Sequence, residues 1–102
     1  MGEIRRRPAA KRDLVDLYRR IAKDAPMRAG PFLHKIYETL VTLSNRPLIG
    51  AARLPSFPEV RVFPLDNYVI IYRPLAGNRG IELVRVLHSA RDWQNLIGED
   101  LD

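Results

Sequence analysis

Apolar residues recur at helical spacing through the first half of this chain and at strand spacing through the second. Leu14, Leu17, Tyr18 and Ile21 stand 3, 1 and 3 positions apart, the stripe of one helix running from Ala9 to about Ala25. Asp13, Asp16, Arg19, Arg20 and Lys23 fall on its wet side, and Pro26 ends it by pushing the residue before it out of helical geometry. A broader stripe follows in Phe32, Leu33, Ile36, Tyr37, Leu40, Val41 and Leu43. This second helix starts either at Pro26, with a kink at Gly30-Pro31, or at Pro31 itself, and it stops at Asn45 and Pro47. Two amphipathic helices joined this closely form an antiparallel hairpin.

Residues 46–58 carry three prolines and a glycine and read as loop. Val60–Leu65, Tyr68–Arg73 and Ile81–His88 are rich in Val, Ile, Tyr and Phe and read as strands. Asp66-Asn67 is the turn of a hairpin, Ala76–Gly80 a longer turn, and Pro64 marks its strand as a sheet edge. Glu3–Arg7 is a short extended opening stopped by Pro8, and its arginines suit an edge strand. Ser89 is placed to cap a final helix, Ala90–Ile97, followed by the acidic tail GEDLD. The order predicts an α+β domain, strand, two-helix hairpin, three strands and a short helix, with the hairpin packed on an antiparallel sheet.

Pairing across a two-residue turn sets Arg61 opposite Tyr72 and Phe63 opposite Ile70, and the next turn sets Tyr68 opposite His88. Arg61, Phe63, Tyr68, Ile70, Tyr72, Val84, Val86 and His88 then share one face. Val62, Val69, Ile71, Arg73, Leu83, Arg85 and Leu87 share the other. Both faces are half apolar, so one is expected to meet the helices and the other to await a partner chain. A one-residue bulge exchanges these assignments.

Composition narrows the chemistry. The 102 residues are 46% apolar and 28% charged, a globular balance for a single domain, residues 1–102. Without cysteine, disulfide scaffolds, thiolate metal sites and cysteine nucleophiles are excluded, and two histidines do not build a histidine-rich metal site. No Gly-rich phosphate loop or nucleophile elbow is present, and no metal or cofactor is expected. No apolar run approaches the roughly 18 residues that span a bilayer, and the N-terminus has neither a signal-peptide core nor a myristoylation motif. A cytosolic protein with no membrane partner is expected.

The net charge is +5, with 14 arginines against 3 lysines. Residues 1–58 hold 12 basic and 5 acidic side chains, whereas residues 59–102 hold 5 and 7. The basic half fits an acidic partner or simply a solvated arginine-rich surface. Arg73 and Arg85, diagonal neighbours on one face, need a carboxylate between them, from a partner or from this chain. His88, beside Tyr68 and Tyr72 and near Arg61, is the one acid–base candidate in the second half, against the simpler reading of a strand-end histidine bonded locally. His34 reads as a surface residue, and Trp93 as a packing anchor or a binding hot spot.

The strings "RRPAAKRDLVDLYRRIAKDAP", "LIG", "VRVFPLDNYVIIYRPL" and "IELVRVLHSARDW" resemble the ParE branch of the RelE/ParE toxin superfamily, from about Ile4 to Ile97. The resemblance implies the toxin of a bacterial type II toxin–antitoxin module. It would inhibit DNA gyrase without being an enzyme, and would reach operator DNA only through a ParD-like antitoxin in a heterotetramer or larger complex. It further implies an antitoxin groove on the helical hairpin and the open sheet face, with Leu17, Tyr18, Tyr37, Arg73 and Arg85 as contacts. Arg91 and Trp93 are then the candidates for meeting gyrase. The RelE-like alternative, a ribosome-dependent mRNA endonuclease, would use Arg61, His88 and Tyr72. The match to that set is poor, because Val69 follows Tyr68 where the nucleases carry arginine, and Asn95 stands where their catalytic tyrosine is expected.

Overall fold

The computed structural model describes residues 2–101. In chain order it holds β1 (Glu3–Arg6), α1 (Pro8–Asp24), α2 (Pro26–Asn45), β2 (Arg61–Leu65), β3 (Tyr68–Pro74), a single 3-10 turn at Ala76–Asn78, β4 (Gly80–His88) and α3 (Trp93–Leu101). Proline begins both long helices, where its missing N–H costs nothing. Ala25 breaks helical geometry between them while its N–H still bonds the Ile21 carbonyl. The second helix therefore starts at Pro26. Pro31 lies inside it and removes the bond to the Met27 carbonyl, on a side where Met27 is exposed and water can take that place.

The four strands lie in the order β1-β4-β3-β2. β2, β3 and β4 form the expected antiparallel meander, whereas β1 joins β4 in parallel, so the sheet is mixed. A chain that leaves β1 and crosses back through two helices returns in a direction that allows parallel pairing. Arg61 faces Tyr72, Phe63 faces Ile70 and Tyr68 faces His88, as the turn lengths require.

Past that point the register shifts. Ile71 faces Arg85 but Tyr72 faces Leu83, leaving Val84 as an extra residue in β4. The bulge turns Leu83 toward the helices and Val84 away from them, the reverse of simple alternation. It also sets Arg73 opposite Glu82, so Arg73 and Arg85 are not the neighbours that unbroken pairing predicts.

Hydrophobic residues pack on both sides of the sheet. Leu14, Leu17, Ile36, Leu40 and Leu43 of the hairpin meet Ile70, Tyr72, Ile81, Leu83 and Val86 on one side. On the other, Val62, Val69, Ile71, Val84 and Leu87 are covered by Ile97 of α3, with Leu54, Phe57 and Trp93 against them. The face expected to await a partner chain is thus closed by this chain itself. The acidic tail is the reason: GEDL continues α3 as helix, which lets Leu96, Ile97 and Leu101 close over the sheet. Ser89 does not cap that helix. Its hydroxyl bonds the Asn67 carbonyl and ties the end of β4 to the β2–β3 turn.

Candidate functional site

The surface of the hairpin carries an apolar groove with a basic rim. Residues of α1 and α2 that miss the core stripe, Val15, Tyr18 and Tyr37, remain exposed and form its floor with Leu33. Arg6, Lys11 and Arg19 border it, and no carboxylate lines its volume of about 520 Å³. The Arg6 guanidinium sits 5.3 Å above the centre of the Tyr37 ring, a cation–π contact that ties the β1 edge to the groove.

Leu17 and Tyr18 are neighbours in sequence with opposite fates. Tyr18 is 41% exposed, while Leu17 is 4% exposed and belongs to the core. Leu17 is therefore not an available contact, because one step along a helix turns a side chain by about 100°. Val15, Arg6, Lys11 and Arg19 were not singled out from sequence. An apolar valine among the charged positions of the wet face was the available signal.

Arg73 and Arg85 lie outside the groove, and each finds its carboxylate within this chain. Glu82 forms an ion pair with Arg73 at 2.9 Å and accepts a hydrogen bond from Arg7 at 3.1 Å. Asp13 accepts from Arg85 at 2.6 and 2.9 Å and from the Val86 N–H at 3.0 Å, and Asp100 closes on Arg85 from α3. The bonds to Asp13 and then to Asp100 push the Arg85 pKa still higher than usual, against its partial burial. Arg85 fastens strand to helix, while Arg73 and Glu82 pair across neighbouring strands.

The residues of the nuclease alternative do not converge. Tyr72 is wholly buried, its hydroxyl donating to the Pro47 carbonyl at 2.8 Å and accepting the Gly50 N–H at 2.9 Å. Burial pushes its pKa up, while the Gly50 hydrogen bond and the nearby Arg61 charge work against the rise. Arg61 donates to the Leu48 carbonyl at 3.1 Å and the Gly50 carbonyl at 2.6 Å. Both side chains brace the loop between α2 and β2.

His88 stands four positions further along the strand pair, roughly 13 Å away at strand spacing. Its Nδ1 accepts the Ala90 N–H at 3.1 Å and its ring meets Tyr68 edge-on at 5.2 Å, the local bonding of a strand-end histidine. A cleft of about 300 Å³ adjoins His88 and Tyr68, with Arg20 and Arg28 on its wall beside Asp24 and Asp66. Arg20 and Arg28 reach this cleft from the hairpin, a meeting that strand parity does not reveal.

Arg91 and Trp93 also part company. Arg91 is exposed beside His88 and Asp16, whereas Trp93 is half-buried at the start of α3 and lines a separate cleft with Ile49 and Arg53. Among the described residues no three His, Cys, Asp or Glu side chains gather as a metal site, and no helix is long and apolar enough to cross a membrane.

A helix pair on a four-stranded mixed sheet is a fold shared with two solved toxin–antitoxin systems. The chromosomal ParDE toxin–antitoxin system of P. aeruginosa superposes with a TM-score of 0.71 at 22% identity, over 86% of this chain and 96% of that one. The RelBE2 toxin–antitoxin complex of Mycobacterium tuberculosis superposes with a TM-score of 0.64 at 24% identity, over 85% and 96%. No curated protein matches the sequence significantly. The family model for the ParE toxin of the type II toxin–antitoxin system parDE matches residues 4–93, and the chain belongs to that family.

Proposed function

We propose that this type II toxin acts by binding DNA gyrase and holding its cleaved-DNA state, and that a ParD-like antitoxin silences it from the hairpin groove. The observation that carries the non-catalytic reading is the engagement of Tyr72 and Arg61. A general acid must reach substrate, yet the Tyr72 hydroxyl is buried between Pro47 and Gly50. A cation that neutralises a phosphorane must be free, yet Arg61 is bound to two loop carbonyls.

The groove supports the antitoxin half of the reading. Val15, Tyr18, Leu33 and Tyr37 offer an apolar floor, and Arg6, Lys11 and Arg19 offer cations. That pattern suits an amphipathic segment whose apolar side chains are interleaved with carboxylates. Binding would bury tyrosines, one of the residue types enriched among interface anchors. Operator DNA would then be reached through the antitoxin, in a heterotetramer or larger assembly, in the cytoplasm where gyrase works.

Purified gyrase titrated with the protein tests this directly. Loss of supercoiling with accumulation of cleaved DNA is expected. Undisturbed supercoiling by a protein that still arrests growth would overturn it in favour of RNA cleavage. That second reading is favoured by one observation, the cleft that unites His88 and Tyr68 with Arg20 and Arg28.

A further inference from the structure

Leu48 and Ile49 are 53% and 42% exposed, side by side on the loop between α2 and β2. Scattered exposed apolar residues are ordinary. These two differ because their backbone is held from several directions. The Tyr72 hydroxyl bonds Pro47 and Gly50, Arg61 bonds the Leu48 and Gly50 carbonyls, and Ala51 exchanges both backbone hydrogen bonds with Val62. Gly50 is required for that closeness, since a Cβ there would lie 2.5 Å from the Tyr72 oxygen. Other apolar residues of the same connection, Leu54 and Phe57, do pack against the core. The loop thus holds Leu48 and Ile49 outward while neighbouring apolar residues turn in.

Beside Ile49 lies a cleft of about 370 Å³ walled by Phe63, Val69 and Trp93, with Arg53 at its side and no carboxylate in its lining. The chain carries no acidic residue at all between Glu38 and Glu59, while Arg46, Arg53 and Arg61 fall in or beside that stretch. An apolar tip next to an apolar cleft whose one charged lining residue is Arg53 complements a segment with an apolar side chain flanked by carboxylates. Because the loop is already fixed, docking on it costs little conformational entropy. None of the residues lining this cleft lines the hairpin groove.

We propose that the Leu48–Ile49 tip and the cleft beside Trp93 form the surface by which this toxin docks on its target, receiving an acidic, apolar-anchored protein segment. The inference rests on the gyrase reading for the identity of that target. Two surfaces then divide the labour: the hairpin groove receives the antitoxin and the braced loop receives the target.

The test compares Leu48→Ser/Ile49→Ser and, separately, Arg53→Glu with the unaltered protein. All are titrated into supercoiling assays with purified gyrase holoenzyme, with thermal melting as the check on folding. Both variants are expected to melt as the parent does and to need at least about tenfold more protein for half-inhibition, a loss of about 1.4 kcal/mol in binding. Superimposable inhibition curves would overturn the docking surface while leaving the gyrase reading intact. Failure of the unaltered protein to inhibit gyrase would overturn the gyrase reading instead, and growth arrest in expressing cells then decides the surface. Arrest lost in the variants supports it; equal arrest, or none from the parent, overturns it.

Discussion

Arg85 on β4 holds Asp13 on α1 through two hydrogen bonds, 2.6 and 2.9 Å long, across 72 positions of sequence. Asp13 also accepts the Val86 N–H, so one carboxylate satisfies a guanidinium and a strand backbone together. Both side chains are largely buried. Removing Arg85 leaves the Asp13 carboxylate without a counter-charge in a poorly solvated place, at a cost of about 3 kcal/mol. Arg85→Ala should therefore lower the melting temperature by more than about 10 °C for a domain of this size. The double variant Asp13→Leu/Arg85→Met should lose less than the two single changes together, since no charge is then stranded. Thermal melts of the three proteins check this.

Leu17 and Tyr18 give a pair of opposite outcomes. Leu17→Ala opens a cavity beneath the sheet and should cost about 2–5 kcal/mol of stability. Tyr18→Ala should leave melting nearly unchanged and weaken antitoxin binding by about tenfold or more, as loss of an interface anchor does. Melting curves and titration calorimetry with the antitoxin separate the two. A binding loss from Leu17→Ala at unchanged stability would contradict the packing described above.

Alkaline pH should reveal Tyr72. Its pKa in the folded chain is raised above the ordinary 10.0 by burial. Between the unfolded and folded values the unfolded chain holds fewer protons, so stability falls as pH rises. The contribution is complete below pH 10 and is lost above it. Tyr72→Phe should remove that part of the alkaline decline. At neutral pH it should cost about 1–3 kcal/mol, because the Pro47 carbonyl and Gly50 N–H lose their buried partner. Melting from pH 7 to 11, parent against variant, reads both effects.

His88 distinguishes poison from nuclease. As a strand-end residue bonded to Ala90, it should be replaceable by alanine with growth arrest kept within about twofold. As a general acid or base it would account for about 10²–10⁴ in rate, and the same change would abolish toxicity. Expression of His88→Ala beside the parent, scored by colony survival, decides between them.

Much of this protein was legible along the chain because the information is local. A stripe at Leu14, Leu17 and Ile21 makes a helix wherever it finds a core, and a two-residue turn at Asp66-Asn67 sets Arg61 opposite Tyr72 with no help from the rest of the fold. The family, too, is written in consecutive residues. What the tertiary structure alone decided depends on contacts between distant segments. One extra residue in β4 moved Arg73 opposite Glu82, and no composition rule announces a bulge. The tail GEDL reads as acidic, and Glu99 and Asp100 stay exposed, yet it extends the helix that lays Leu96, Ile97 and Leu101 against the sheet and brings Asp100 to Arg85. Tyr72 and Arg61 looked like chemistry because their residue types suit it. Their role in holding the Pro47–Ala51 loop is fixed by a hydroxyl and a guanidinium that reach carbonyls 11 to 25 positions away.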